Sequence, residues 1–161
     1  MGVGDRPGLC HSWPMSPETP QFADLKSLWP GAATRFLALR LLPGDDLRAA
    51  LQAAFAAERE HAGFVVACVG SLSKVALRPA GKDSAMLLEV TLEIVSLSGT
   101  FSKDGPHLHI SVSDSRGQML GGHLLEGSIV RTTAEVILGL APVHFRRAPD
   151  PRTGYPELFF D

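Results

Sequence analysis

This chain has little of what marks the specialised classes of small protein. Cysteine occurs twice in 161 residues, tryptophan twice and tyrosine once. Cys10 lies in a proline-rich leader and Cys68 in an apolar run, which makes no disulfide framework and points to reduced thiols in a reducing compartment. No apolar run approaches the ~20 residues needed to span a bilayer. The N-terminus has no basic region followed by an apolar stretch, so no secretory signal is expected. The expected location is intracellular and cytoplasmic, with the nucleus left open and no membrane partner. Excess charge is also missing. Lys and Arg number 15 against 17 Asp and Glu, for a formal charge of −2, which gives no general attraction for phosphate backbones. The densest basic group, Arg146-Arg147 with Arg152, is too small for a nucleic-acid stripe. No G-x-G-x-x-G opens a helix, and no Gly-Lys-Ser/Thr, G-x-S-x-G, His-Glu-x-x-His or Cys-x-x-Cys pair occurs. The common nucleotide-binding, serine-hydrolase and zincin signatures are thereby absent.

What is there is histidine, concentrated in one place. Half of the 6 histidines lie between Gly105 and Glu126. His107 and His109 stand two apart in an alternating strand, so both side chains leave the same sheet face. Asp114-Ser115-Arg116-Gly117 suits a type I turn, with Asp first and Gly at the left-handed position. Ser-Arg is a poor two-residue primed turn, so a longer loop with a Gly bulge is expected. In that register Asp114 faces Gln118, and His109 therefore faces His123, with Cβ atoms ~5 Å apart. His107 becomes the diagonal neighbour of His123. Three neutral imidazoles with an open fourth position are the ligand set of a catalytic zinc site, and imidazole suits other divalent transition metals too. The competing reading has them packing, bonding to serines on the same face and lining an interface. The register decides, since a slip of one residue sends His123 to the other face. Around the triad, Ser111, Gly121, Gly122, Glu126 and Glu135 are the expected pocket residues. The glycine pair inside a strand marks a bulge or a close backbone approach, and either glutamate could be a fourth ligand or general base. No catalytic residue emerges.

The rest of the chain fits one modest domain, with 45% hydrophobic and 20% charged residues. Residues 1–33 are expected to form an irregular or disordered leader, broken by Pro7, Pro14, Pro17, Pro20 and Pro30. Its Trp13, Phe22, Leu25, Leu28 and Trp29 suggest a segment draped over the domain or a neighbour, or a partner-binding peptide. Arg35–Leu42 reads as a strand. Asp45 then caps an amphipathic helix running to about His61, with Leu47, Ala50, Leu51, Ala54 and Phe55 on its apolar stripe. His61 is expected as a favourable charge at the helix end. Gly63–Gly70 reads as a strand covered on both faces, Ser71–Pro79 as a shorter one. Met86–Ser98 and Ile129–Leu140 alternate, and Leu108, Ile110, Val112, Leu120 and Leu124 make the apolar face opposite the histidines. The fold class is α+β, a largely antiparallel sheet packed on one main helix. One helix cannot cover the sheet, so self-association is expected.

These residues also carry a family resemblance. Glu93-Ile-Val-Ser-Leu-Ser-Gly99, Gly105-Pro-His-Leu-His109, Gly121-Gly-His-Leu-Leu-Glu-Gly127 and Thr132-Thr-Ala-Glu-Val136 resemble the PPC domain (plant and prokaryote conserved domain, DUF296), over about residues 34–146. The resemblance is to the stand-alone, histidine-containing type, and implies a compact α+β domain that assembles as a homotrimer. It sets the domain at 34–147, followed by an extended tail over 148–161. Plant members are fused to AT-hook motifs. This chain has no Arg-Gly-Arg-Pro hook, which argues against direct DNA binding. The implied function is oligomerisation and interaction with protein partners around a histidine-lined pocket. A metal-dependent, zinc-type or small-molecule-binding enzyme centred on the triad is the alternative, and DNA-associated regulation the third reading.

Overall fold

The computed structural model describes residues 27–160. Strand β1 (Arg35–Leu41) leads into helix α1 (Leu47–Ala56). Then come β2 (Ala62–Arg78), β3 (Met86–Leu88), β4 (Leu92–Ser102), β5 (Gly105–Ser113), β6 (Met119–Leu124) and β7 (Ile129–Ala141). A C-terminal hairpin of β8 (Phe145–Pro149) and β9 (Pro156–Phe160) takes the place of the expected extended tail. The main sheet runs β1-β7-β2-β4-β5-β6, every pairing antiparallel.

Helix α1 starts one residue later than expected. Asp46, not Asp45, is the N-cap, its carboxylate accepting from the Ala49 amide at 2.9 Å. Asp45 instead closes the preceding turn by accepting from the Leu42 amide at 2.8 Å. Leu47, Leu51 and Phe55 are buried, and the Phe55 ring packs 5.3 Å from that of Phe101 on β4. Across the sheet they meet Val130, Ala134, Val136 and Leu138 of β7 and Leu108, Ile110 and Val112 of β5. The helix ends at Ala56, short of His61, because Gly63 and its neighbours are drawn into β2. His61 accordingly caps nothing. It bridges to His144 in parallel, the two rings stacked 4.7 Å apart.

The two strands expected between residues 63 and 79 are one strand of 17 residues, bent at register shifts around Val65–Ala67 and Gly70–Lys74. Bulges let a strand turn without breaking its ladder. Nor is its first half covered on both faces. Val66 and Val69 are 49% and 60% exposed, and Phe36 of β1, two strands away across β7, is 65% exposed. Val90 lies between β3 and β4 and is exposed, which ends the alternation expected through Met86–Ser98. Leu120 faces the same way as buried Val112 yet is 43% exposed, because that end of β6 has β5 on one edge and, among the described residues, no strand on the other. Within the leader, the Trp29 indole N–H donates to Thr34 Oγ1 at 2.9 Å and its ring lies against Phe64 and Phe145. The other aromatic leader residues, Trp13 and Phe22, lie outside the described residues.

The bend in β2 has a decisive effect. Its last residues pair with β6, Leu77 with Leu124 and Arg78 with His123, while β6 pairs with β5 on its other edge. Strands β2, β4, β5 and β6 therefore form a closed circuit. The glycine pair belongs to this closure: a Cβ on Gly121 would stand 2.8 Å from the Ile110 carbonyl oxygen, and one on Gly122 2.6 Å from that of Arg78. Both obstacles are backbone, so neither can step aside. Gly122→Ala is expected to cost about 1–3 kcal/mol, the range for overpacking a tight site. Urea denaturation checks this; a variant as stable as the parent would show that β6 is not tightly held.

Candidate metal centre

The hairpin that builds the site obeys its turn. The Asp114 amide donates to the Gln118 carbonyl at 3.0 Å, and the Asp114 carboxylate accepts from the Arg116 and Gln118 amides at 2.8 and 2.9 Å. Gly117 takes the left-handed conformation the turn needs, with φ +77°. Those amide bonds hold the Asp114 carboxyl below the usual carboxylate range. The register that follows sets His109 opposite His123. Directly opposed residues share a face, and the three imidazoles converge: ring centroids are 4.3 Å apart for His109 and His123, 4.9 Å for His107 and His123, and 5.1 Å for His107 and His109.

The nitrogens fit a small cation. One ring nitrogen from each histidine lies within 4.8 Å of the other two. The Nε2 atoms of His107 and His109 are 3.2 Å apart. Two imidazole nitrogens bound tetrahedrally to zinc at about 2.05 Å stand ~3.3 Å from each other, so this pair is already at ligand spacing. Without a cation, one of the paired nitrogens must carry its proton toward the other's lone pair.

The surroundings of His107 and His123 favour neutral imidazole, the form that ligates. His107 is pushed down to about 4, by burial first and then by the positive Arg147 and the neighbouring histidines. His123 is also lowered, by burial, Arg78 and His109 in that order. The triad floors a cavity of about 610 Å³, whose walls include Arg48, Arg78, Arg147, Tyr155 and Glu157.

The other expected pocket residues are elsewhere. Ser111 continues the histidine face but bonds to Ser96, Oγ to Oγ, at 2.7 Å. Glu126 is exposed and pairs with Arg48 at 2.8 Å. Glu135 lies on β7, in register with Arg40 and Val69. Neither carboxylate joins the cluster, which among the described residues consists of the three histidines. The three arginines escape the sequence reading. Arg78 reaches the site only through the β2–β6 closure, which two separate strands could not reveal. Arg147 was visible merely as part of a sparse basic group. Cys68 stays outside the site, its thiol pushed up to about 11 by burial, which leaves it a poor nucleophile at neutral pH.

A closed antiparallel sheet on one helix, with three convergent histidines on a single hairpin, defines the class: a small α+β domain with a candidate metal centre. The profile of the Plants and Prokaryotes Conserved (PCC) domain matches residues 30–142, and the chain belongs to that family, the PPC domain of its sequence motifs. A protein of known structure from Salmonella cholerae-suis (Salmonella enterica) is 44% identical, with a TM-score of 0.78 over 80% of this chain and 94% of that one. A metal-containing protein from Archaeoglobus fulgidus is 27% identical, with a TM-score of 0.61 over 76% of this chain and 91% of its own. Among curated proteins, the bifunctional protein GlmU of Synechococcus sp. (strain JA-2-3B'a(2-13)) is 42% identical over 156 residues, and that of strain JA-3-3Ab is 44% identical over 133. The chain spans only 23% and 21% of those two proteins.

The lowered His107 gives a pH signature to metal-free protein. Its folded value of about 4 lies below the ordinary 6.5, so as pH falls the unfolded chain takes up the proton first. The stability this group contributes is present above about 6.5 and is lost between there and about 4. Chelator-treated His107→Gln should lose stability less steeply than the parent across that window. Equal slopes in pH-dependent denaturation would place His107 in solvent.

Proposed function

We propose that this chain is a self-associating PPC domain that assembles as a homotrimer and holds a divalent transition metal ion, zinc foremost, on His107, His109 and His123. The observation that carries the metal reading is the convergence of three imidazoles with one pair at ligand spacing. The ion would supply Lewis acidity and an open coordination position. The three side chains hold it, and the Asp114 turn fixes their register. The metal-containing relative from Archaeoglobus fulgidus supports this reading. Self-association is supported by the apolar outer face of β1 and β2, where Phe36, Val66 and Val69 are about half exposed or more. Such a patch is what subunits cover in one another. Sequence like this one also occurs within GlmU chains about four times as long, which suits an assembly module joined to other activities.

The cavity over the triad favours a second reading, a metal-dependent site that acts on a small molecule. Its volume falls within the ~300–1,000 Å³ of ligand pockets.

Protein purified without a His-tag should carry about one zinc-class ion per chain by elemental analysis, the stoichiometry of a single three-histidine site. His109→Ala or His123→Ala should weaken metal binding at least tenfold, since removing one ligand costs more than about 1.4 kcal/mol. His61→Ala and His144→Ala should bind as the parent does. If the parent binds zinc no more tightly than His109→Ala, the metal reading falls.

Light scattering should give a mass near three times the 17.2 kDa chain, because obligate interfaces bury about 2,000 Å² or more. Phe36→Glu should shift it toward monomer. A monodisperse monomer of the parent at micromolar concentration would refute the assembly.

A further inference from the structure

Two arginines flank the histidine triad on opposite sides, each tied to one of its members by sheet register. Arg78 stands directly across the β2–β6 pair from His123, so its side chain leaves the same face. His107 stands across the β4–β5 pair from Thr100. The Thr100 hydroxyl accepts from Arg147 Nη2 at 2.7 Å, which brings the Arg147 guanidinium to the other side of the triad. Both arginines line the same cavity.

Their charges are largely unspent. Arg48, the third arginine in the walls, is neutralised by Glu126. Among the described residues, Arg78 makes no ion pair and Arg147 makes none within salt-bridge distance, although Glu157 offsets part of the Arg147 charge electrostatically. The Arg147 Nε–H is buried without an acceptor among those residues, so the protein alone leaves this guanidinium's hydrogen-bonding capacity unfilled. Two guanidinium groups against one carboxylate leave the cavity positive before any metal ion enters, and a divalent ion would make it more so. Histidine carries no negative charge in either protonation state, so the triad compensates nothing. A guanidinium fork is matched in shape to the paired oxygens of carboxylate and phosphate. Apolar surface from Pro106, Leu124 and Pro156 completes the walls and gives an organic body somewhere to lie.

We infer that this cavity receives a small organic acid, with a carboxylate or phosphate group held between Arg78 and Arg147 over the histidine centre. This rests on the metal-binding reading for the contact between ligand and ion; the arginine clamp stands without it. Arg78 and Arg147 are positioning residues for the anion, and the histidines alone would ligate metal.

The test uses the full chain loaded with cobalt(II), whose visible spectrum reports the coordination sphere, titrated separately with inorganic phosphate and with acetate. Radiolabelled phosphate in equilibrium dialysis against metal-free protein measures the clamp alone. At least one anion should change the cobalt spectrum saturably, and the one that does identifies the ligand's acid group. Arg78→Gln and Arg147→Gln should each weaken anion affinity at least about tenfold, the loss of one charge-assisted contact, while cobalt still binds at one ion per chain. Arg40→Gln, on exposed β1, should change neither. If Arg147→Gln does not fold, Arg78→Gln decides with Arg78→Lys beside it, which keeps the charge and should recover part of the affinity. Anion affinity unchanged in the glutamine variants, or no anion binding by the parent at millimolar concentration, overturns the inference. If the parent fails to bind cobalt, the metal reading falls, and the dialysis of metal-free protein still decides the clamp.

Discussion

The backbone hydrogen bonds that seat β6 between β5 and the end of β2 are the constraint on which the rest of this structure depends. They require glycine at 121 and 122, because the flanking carbonyls leave no room for a Cβ. They turn a sheet that could have stayed open into a circuit. They also set His123 opposite His109 on one side and Arg78 on the other. Hydrophobic packing gives the domain its stability, with α1 on one face and the β5 and β7 side chains beneath it, but packing is non-directional. The ladder around β6 supplies the direction, and the chemistry of the site follows from it.

The same sheet has two unlike ends. At the closed end its outer side carries polar, titratable groups around a cavity. At the other end, where β1, β7 and β2 lie side by side, it carries Phe36, Val66 and Val69, exposed among the described residues. An α+β domain with a single helix has this problem by construction, since ten helical residues cannot cover a sheet whose longest strand has 17. The proposed trimer and the proposed metal centre thus use different parts of one sheet.

Much of this was legible in the sequence. The turn at Asp114 carries its own register in its side-chain bonds, so the pairing of His109 with His123 could be read from local chemistry alone. The helix stripe of Leu47, Leu51 and Phe55 and the inward set of β7 follow from periodicity, which burial enforces residue by residue. What could not be read depends on long-range geometry. That Gly70 lies within a bent strand, and does not end one, is a property of its partners on β7. Arg78 belongs to the site only because that bend carries it to β6. The exchange of Asp45 for Asp46 as cap, and the early end of α1, reflect competition with the neighbouring strands for the same few residues. Glu126 and Glu135 were reasonable carboxylates by position in sequence, yet an arginine partner took one and the far end of the sheet the other.

All three imidazoles come from a span of 17 residues, whereas the arginines beside them come from segments far away in the chain. Drawing the histidines together therefore closes only a short loop and costs little chain entropy. A metal ion would find its ligands almost as readily in a half-formed chain carrying this one hairpin as in the finished domain. Affinity for the unfolded chain subtracts from any stabilisation that metal confers on the native state. The ion would then be a poor thermal stabiliser and an early passenger, aboard before the walls of its own pocket have been raised.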